Sequence, residues 1–223
     1  MDKIRRNRAK TTQRIVEALE EVIAERGLEG VGVNRIAEKA GVSKVLIYRY
    51  FGGLDGLMDY YVKMGKLFPM FTPVVLDQIR PLHESDLARI WYRQVIQTYR
   101  SFRTFKAARE VLKATIIEND VTADVTSKAV DEEMTRLVEQ LSFVQGADTK
   151  AVSAVMLGAM SYLTILAQNN RTMIGLDLRS EDGWKRIEDA VKMIYIALNK
   201  LAIASKETTM EVQAASLPAG HWQ

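Results

Sequence analysis

The spacing of apolar residues is helical along almost the whole chain. The first set recurs every three to four positions: Ile15, Val16, Leu19, Val22 and Ile23. This spacing predicts a helix over residues 8–26. Similar patterns predict further helices over 33–40, 44–51, 54–67, 85–103, 105–118, 122–144, 149–170 and 181–205. Alternating patterns typical of strands are nearly absent. The sequence therefore predicts an all-α fold.

Prolines indicate where the chain divides. Pro69, Pro73 and Pro81 are three of the four prolines, and proline interrupts helices. We expect the joint between two domains in this segment. The predicted organisation is a small N-terminal domain over residues 1–53, a larger helical domain over 54–205, and an irregular tail over 206–223.

One predicted helix is unusually apolar. Residues 151–170 carry no charge for 20 positions, which is the minimum length of a membrane span. Six polar side chains dilute this run, and a helix that is apolar on all sides is usually buried on all sides. We therefore expect no membrane span, and a helix that packs against its own subunit on one side and a second copy on the other.

The last two predicted helices carry more apolar surface than the core of one subunit needs. A two-fold interface would bury that surface against its own copy, which predicts a homodimer. The candidate interface residues are Val155, Met156, Ala159, Tyr162, Leu163, Leu166, Val191, Ile194, Tyr195, Leu198 and Leu201.

Composition argues against an enzyme. The chain has no cysteine, which excludes disulfides and thiolate metal sites, and its only histidines are His83 and His221. No glycine-rich phosphate loop, nucleophile pair or spaced acidic metal cluster is present in the sequence. We therefore expect no catalytic residue, no metal and no cofactor. The N-terminus lacks the apolar core of a signal peptide, so we expect a cytoplasmic protein.

Positive charge is concentrated at the N-terminal end. The net charge is +3, but residues 1–53 hold 11 basic and 7 acidic residues, or +4, and the remainder holds 20 and 21, or −1. Six basic residues fall within the first 14 positions: Lys3, Arg5, Arg6, Arg8, Lys10 and Arg14. This distribution indicates a polyanion partner. The alternative is a solvated terminal run without a partner.

The stretch GVSKVLIYRYFGG at residues 41–53 combines aromatic and cationic residues on a short element. The helices predicted at 33–40 and 44–51 are joined by a glycine-containing turn, the layout of a helix-turn-helix, whose second helix can enter the DNA major groove. Val42, Ile47 and Phe51 would pack inward. The residues left to face DNA are Ser43, Lys44, Val45, Leu46, Tyr48, Arg49 and Tyr50. The alternative is an ordinary helical hairpin with half-buried tyrosines.

The segment VNRIAEKAGVSKVLIYRYF, residues 33–51, resembles the DNA-binding signature of the TetR family of bacterial repressors. The likeness extends from residue 8 to Leu57. It implies a two-domain, all-α homodimer whose first three helices bind a palindromic double-stranded DNA operator. It also implies a C-terminal domain that dimerises through its last two long helices and holds a pocket for a small effector, whose binding releases DNA.

Three positions depart from the family pattern. Gly32 stands where the family has a serine or threonine cap, and it offers no side-chain acceptor. Val45 replaces a glycine that lets the backbone approach DNA. Leu54 stands where a lysine commonly binds phosphate. Each lost phosphate contact reduces the slope of log K against log salt concentration by about 0.9.

The effector pocket has aromatic candidates on three predicted helices. They are Tyr61, Met64, Trp91, Tyr92, Tyr99, Phe102 and Phe105. Such a lining favours a small apolar or flat ligand, although aromatics at helical spacing are also typical of a core. Two functions stay open: a repressor released from its operator by a small molecule, and a DNA-binding adaptor that recruits a protein and senses no ligand.

Overall fold

The computed structural model describes the backbone over residues 2–64, 67, 84–140 and 148–215. Side chains are described over 7–64, 67, 86, 88–139, 148–201, 203 and 204. Within this part of the chain the helices are α1 (Asp2–Arg26), α2 (Val33–Ala40), α3 (Lys44–Phe51), α4 (Leu54–Lys63), α5 (Glu84–Thr104), α6 (Lys106–Ile117), α7 (Val121–Gln140), α8 (Thr149–Gln168) and α9 (Glu181–Ala215). The predicted all-α class is confirmed.

Helix bounds agree best where the caps are local. Helices α2 and α3 have the predicted bounds, because Gly41 adopts a left-handed conformation after α2 and the Ser43 side chain caps α3. Helix α4 ends at Lys63, earlier than predicted. The three clustered prolines, His83 and residues 141–144 lie outside the described residues, so the proposed joint stays a prediction.

The predicted irregular tail begins too early. Helix α9 continues from residue 205 to Ala215, so the assignment of residues 206–215 to an irregular segment is wrong. The sequence KETTMEVQAA contains no glycine or proline, and Pro218 is the first residue that disfavours a helix there. Helix α1 also begins earlier than predicted, at Asp2.

A short hairpin between α8 and α9 was not predicted. Strands β1 (Thr172–Met173) and β2 (Leu176–Asp177) pair antiparallel around Ile174 and Gly175. Both turn residues have positive φ, 50° and 74°, as a two-residue hairpin turn of this hand requires. Two-residue strands are too short to produce an alternating pattern, so no periodicity predicts them.

One continuous apolar core runs through the described elements. Helices α1, α2 and α3 enclose Ile15, Leu19, Ile36 and Ile47, all fully buried. Helix α4 then packs along α7, α1 packs against α6, and α5 contacts α6, α8 and α9. The three-helix N-terminal unit is therefore tied to the remainder through α4 and α1.

Helix α8 has an inner and an outer face. Its inner face buries Ser153, Met156, Met160 and Thr164 at helical spacing, and it packs against α5, α6 and α7. By length and mean hydropathy α8 could cross a membrane, but one such helix is weak evidence. The buried Thr164 hydroxyl is satisfied within the helix, since it donates to the carbonyl of Met160 at 2.8 Å.

The phase of α8 and α9 corrects three of the interface assignments. Met156, Val191 and Tyr195 were expected to face a partner, but each is buried in the core of its own subunit. They lie on the same helical stripes as Met160 and Trp184, which pack against neighbouring helices. Leu163, Leu166 and Leu198 are half-buried, and Val155, Ala159, Tyr162, Ile194 and Leu201 are exposed.

Candidate functional site

The turn between α2 and α3 is built from backbone hydrogen bonds. The Gly41 amide donates to the carbonyl of Glu38 at 3.0 Å, and the Val42 amide donates to that of Ala37 at 2.9 Å. Gly41 has φ 61°, which a glycine adopts without strain. The Val45 amide then donates to the Ser43 hydroxyl oxygen at 3.3 Å. Ser43 therefore sets the start of α3, whatever else it contacts.

Ionic contacts fix this turn to α1. The Arg14 guanidinium donates to the carbonyl oxygens of Ala40 and, at 3.1 Å, Gly41. Lys39 pairs with two carboxylates of α1, Glu25 at 2.7 Å and Glu21 at 3.2 Å. These two cations hold α2 against α1, and the cations of α3 are left for other contacts.

Helix α3 has one side in the core and one side in solvent. Ile47 is fully buried, whereas Val45 is 62% and Tyr48 is 55% exposed. Lys44 and Arg49 are exposed as well. Of the other predicted DNA-facing residues, Ser43 is exposed and Leu46 and Tyr50 are half-buried. The inward packing predicted for Val42, Ile47 and Phe51 is found.

Two cations flank one aromatic ring at the edge of this surface. The guanidinium carbon of Arg8 lies 5.0 Å from the centroid of the Tyr50 ring, and that of Arg49 lies 5.4 Å from it. Tyr50 packs edge-on against Phe51, and Phe51 packs in the same way against Tyr60 of α4. Basic residues from α1 and α3 thus surround the Tyr50 ring, and Phe51 packs against that ring from the protein side.

A shallow cleft of about 520 Å³ extends this surface toward α2. Lys44 and Tyr48 line it together with Asn34 and Arg35, two residues that the sequence interpretation missed. Gly32 has no side chain that could accept a hydrogen bond from the backbone amides of the first turn of α2. That first turn borders the cleft. Asn34 and Arg35 belong to the same cation-rich surface as α3.

A small apolar cavity lies in the helical domain. Its volume is about 160 Å³, close to that of an engineered cavity known to hold a single aromatic ring. Helices α5, α6, α7 and α8 contribute its walls. The lining residues are Val95, Thr98, Tyr99, Phe102, Leu112, Val130, Met134, Leu157, Gly158 and Ser161.

Polar groups in this cavity are few and defined. The Tyr99 hydroxyl lies 2.7 Å from the carbonyl oxygen of Leu157 and 2.7 Å from the Ser161 hydroxyl, which joins α5 to α8. Burial raises the pKa of Tyr99 to about 12, although the hydrogen bond to Ser161 lowers it, so the phenol is neutral at physiological pH. The Thr98 hydroxyl is buried without a hydrogen-bond partner.

Two of the seven predicted pocket residues line this cavity, Tyr99 and Phe102. Trp91 instead stacks on Tyr195 of α9, with ring centroids 6.4 Å apart. Tyr61 is buried in α4, and Tyr92 is half-buried with Lys192 over its ring. Met64 and Phe105 are exposed. These five were grouped by residue type, but they lie on different faces of their helices.

The cavity is connected to α3 through packed helices. Val130 and Met134 of α7 form part of its wall. Helix α4 packs along α7, and α3 packs against α4 after the Gly52-Gly53 turn. Two helix contacts, that of α7 with α4 and that of α4 with α3, therefore separate the cavity from α3.

Comparison with protein families supports the N-terminal assignment. Residues 15–61 match the model of the bacterial regulatory proteins of the tetR family, TetR_N. The match includes the C-terminal 12 of the 25 residues of α1, all of α2 and α3, and much of α4. No curated protein sequence matches the chain.

Solved structures share the fold at low sequence identity. FadR, the fatty acid degradation regulator from Bacillus halodurans, is 17% identical, with a TM-score of 0.55 over 83% of this chain and 94% of that one. FadR from Bacillus subtilis, in complex with stearoyl-CoA, is 18% identical, with a TM-score of 0.54 over 82% and 97%. A TetR transcriptional regulator from Rhodococcus sp. RHA1 is 15% identical, with a TM-score of 0.51 over 88% and 98%.

Proposed function

We propose that this protein, a member of the TetR family of bacterial regulators, is a cytoplasmic repressor that a small effector releases from a palindromic operator. The observation that carries DNA binding is the solvent face of α3. Lys44, Tyr48 and Arg49 project from a helix whose other side is fixed by Ile47. Lysine and arginine neutralise phosphates, and arginine also reads guanine in the major groove.

Palindromic recognition requires a dimer. Two recognition helices must lie about 34–36 Å apart to enter successive major grooves. The exposed apolar residues of α8 and α9, among them Val155, Tyr162, Ile194 and Leu201, support a two-fold interface there. Both helices pack against α5. An interface through them would therefore connect the cores of the two subunits directly.

The apolar cavity supports ligand sensing. A ligand between Tyr99 and Met134 would press on α7, and α4 connects α7 to the DNA-binding unit. Only a ligand with different affinities for the two arrangements of α4 can shift DNA binding. A coupling of about 1–3 kcal/mol would weaken operator binding roughly 5–150-fold. FadR from Bacillus subtilis, which shares this fold, binds stearoyl-CoA.

DNA binding is tested on a duplex selected from random sequences with the wild-type protein. Changing Lys44 and Arg49 together to alanine should weaken binding by more than tenfold, since a base-reading arginine alone contributes about 1–3 kcal/mol. The control changes Arg93 and Lys128, exposed on α5 and α7, to alanine, which gives the same loss of charge. Equal affinity of the two double variants would reject α3 as the recognition helix.

Ligand sensing is tested by screening apolar and aromatic metabolites for thermal stabilisation, followed by operator binding with each hit. Val130→Phe fills the cavity and should abolish both effects, and Val121→Phe, at an exposed position of the same helix, should preserve both. If ligands bind in the cavity without changing operator affinity, the sensing function is rejected.

A second function, a DNA-binding adaptor, is favoured by one feature. Ile116, Ile117 and Val121 are all exposed at the junction of α6 and α7. A protein partner could cover this apolar patch. The adaptor function predicts that no cavity ligand alters DNA binding, and that Ile117→Asp disrupts regulation in cells without changing operator affinity.

A further inference from the structure

A second pocket lies beside the apolar cavity and has a different chemistry. It has a volume of about 470 Å³ and is open to solvent. Helices α5, α6, α8 and the start of α9 form its walls. Its polar lining includes four arginines, Arg100, Arg103, Arg109 and Arg179, together with Gln168.

Arg103 is held rigidly in this pocket. Its guanidinium carbon lies 3.8 Å from the centroid of the Trp184 ring, and the Trp184 indole N–H donates to the carbonyl of Leu178 at 2.7 Å. Nη2 of Arg103 reaches Glu188 at 3.5 Å, but Nη1 is buried and has no hydrogen-bond partner. A buried donor without a partner is destabilising, so a ligand that accepts from it gains affinity.

Gln168 of α8 also has a side-chain donor without a hydrogen-bond partner. Its side-chain nitrogen is buried without a hydrogen-bond partner, and Gln168 lines the same pocket. Both unsatisfied atoms on this wall are therefore N–H donors. A ligand that satisfies them must supply acceptors.

The remaining charges define what kind of acceptor fits. Glu188 accepts two hydrogen bonds from Arg100, at 2.8 and 2.5 Å, and Asp177 accepts two from Arg179, at 2.8 and 3.0 Å. These carboxylates are already paired. Glu181 also lines the pocket, at the exposed start of α9. Arg109 makes no ion pair among the side chains that the structure describes, so its charge is available to an anion.

We propose that this pocket binds an oxyanion, a phosphate or carboxylate group, through Arg103, Arg109 and Gln168. An oxyanion offers several acceptor oxygens to separate donors, and arginine matches it with paired N–H groups. A neutral ligand would leave the charge of Arg109 without a counterion. A cation would meet the unpaired charge of Arg109 and the buried guanidinium of Arg103.

The two pockets are neighbours along the same helices. Phe102 precedes Arg103, and Arg109 lies three residues from Leu112, about one helical turn. The oxyanion is therefore either a free small anion or the charged end of an effector whose apolar part enters the cavity. The second source rests on the proposed function, and the first does not.

The experiment measures binding calorimetrically with inorganic phosphate, octyl phosphate and octanol. Arg109→Gln should weaken phosphate binding by about tenfold or more, as expected for a charge-assisted contact of about 1.5–3 kcal/mol. The matched control, Arg93→Gln, removes one exposed arginine from α5 and should bind as the wild type does. Gln168→Leu provides a second variant in case Arg109→Gln does not fold.

Octyl phosphate distinguishes the two sources. If it binds more tightly than phosphate, and Val130→Phe removes that gain, the oxyanion is the head of the effector. If octyl phosphate and phosphate bind equally and Arg109→Gln weakens both, the site takes a free anion. Either result supports the oxyanion site.

Failure of the site and failure of the proposed function give different results. If no phosphate binds, or if Arg109→Gln and Gln168→Leu bind phosphate as the wild type does, the oxyanion site is rejected. An octanol effect on operator affinity would then still support sensing. Conversely, octyl phosphate that binds at Arg109 and loses affinity in Val130→Phe occupies both pockets, and if it leaves operator affinity unchanged, the oxyanion site is kept and sensing is rejected.

Discussion

Arg8 of α1 lies over the ring of Tyr50 of α3, with its guanidinium carbon 5.0 Å from the ring centroid. Arg49 lies over the same ring at 5.4 Å. The first helix therefore contributes a cation to the surface of α3, and an aromatic ring holds two like charges in place. A phosphate close to this ring would meet two guanidinium groups that are already oriented.

The first prediction separates the Tyr50 ring from its hydroxyl. Tyr50→Leu removes the aromatic face that attracts Arg8 and Arg49. A cation–π interaction at an exposed site contributes about 0.5–1 kcal/mol. Operator affinity should therefore fall several-fold, and its salt dependence should decrease as the arginines lose their orientation. The measurement is fluorescence anisotropy with a selected duplex at several salt concentrations.

Tyr50→Phe is the control, because it keeps the ring and loses the hydroxyl. If the ring orients the arginines, the phenylalanine variant binds DNA much more tightly than the leucine variant. Equal losses in both would mean that the hydroxyl, as a donor to phosphate, carries the contribution of Tyr50.

The second prediction concerns the outward face of α8. Val155→Glu places a charge at a position that is 69% exposed in the single chain. If α8 forms the two-fold interface, each copy would bury this charge without a partner, which is costly. Sedimentation at micromolar concentration should therefore show a dimer for the wild type and a monomer for the variant.

Val121→Glu is the matched control, since Val121 is 77% exposed and lies at the start of α7. It should leave the dimer intact. A monomeric wild type, or a Val155→Glu variant that still dimerises, would remove α8 from the interface and weaken the case for palindromic recognition.

Local signals made the DNA-binding unit predictable from the sequence. Gly41 and Ser43 end one helix and start the next by contacts within a few residues, so both bounds are readable in order along the chain. Ile47 and Tyr48 differ enough in polarity to show which side of α3 is buried. The surface of α3 could therefore be assigned before the structure.

The helical domain could not be assigned at the same level. Val155 and Met156 are adjacent in the sequence and both are apolar, so their polarity does not distinguish them. Only the packing of α8 on α5 determines that Met156 is buried and Val155 exposed. The pocket lined by four arginines combines residues of α5, α6 and α8 that are far apart in the sequence. Arg103 and Gln168, for example, are separated by 65 positions (168 − 103). No local motif marks such a site.

The third prediction tests the unpaired hydroxyl of the apolar cavity. Thr98 is buried and its hydroxyl has no partner, so Thr98→Val removes an unsatisfied polar group at nearly constant volume. The free energy of unfolding of the ligand-free protein should stay the same or rise by up to about 1 kcal/mol. Affinity for a cavity ligand with a polar group should fall, since that group would lose its hydrogen bond.

Thr126→Val is the comparison, because Thr126 is also fully buried but its hydroxyl donates to the carbonyl of Thr122 at 2.6 Å. This variant should lose about 0.5–1.5 kcal/mol in chemical denaturation. If Thr98→Val destabilises the protein as much as Thr126→Val, the Thr98 hydroxyl has a partner and does not await a ligand.

The fourth prediction concerns acid stability and Glu188. Burial pushes the pKa of Glu188 up, but the hydrogen bonds and charges of Arg100 and Arg103 outweigh it, so the pKa of this carboxyl lies below its usual value. A carboxyl with a lowered folded-state pKa stabilises the protein above its unfolded pKa of about 4.3. This contribution is lost as the pH falls through the lower folded-state pKa.

Glu188→Gln should therefore lower the melting temperature near pH 7, where the ion pair is complete. The difference from the wild type should shrink as the pH falls below about 4, because the wild type then also carries a neutral side chain. Glu139→Gln is the control: Glu139 pairs with Lys150 at 2.7 Å, but both side chains are more than half exposed, so solvent screens the pair. Melting curves between pH 3 and pH 7 measure both variants. A difference for Glu188→Gln that stays constant over this range would show that Glu188 acts through packing and not through its charge.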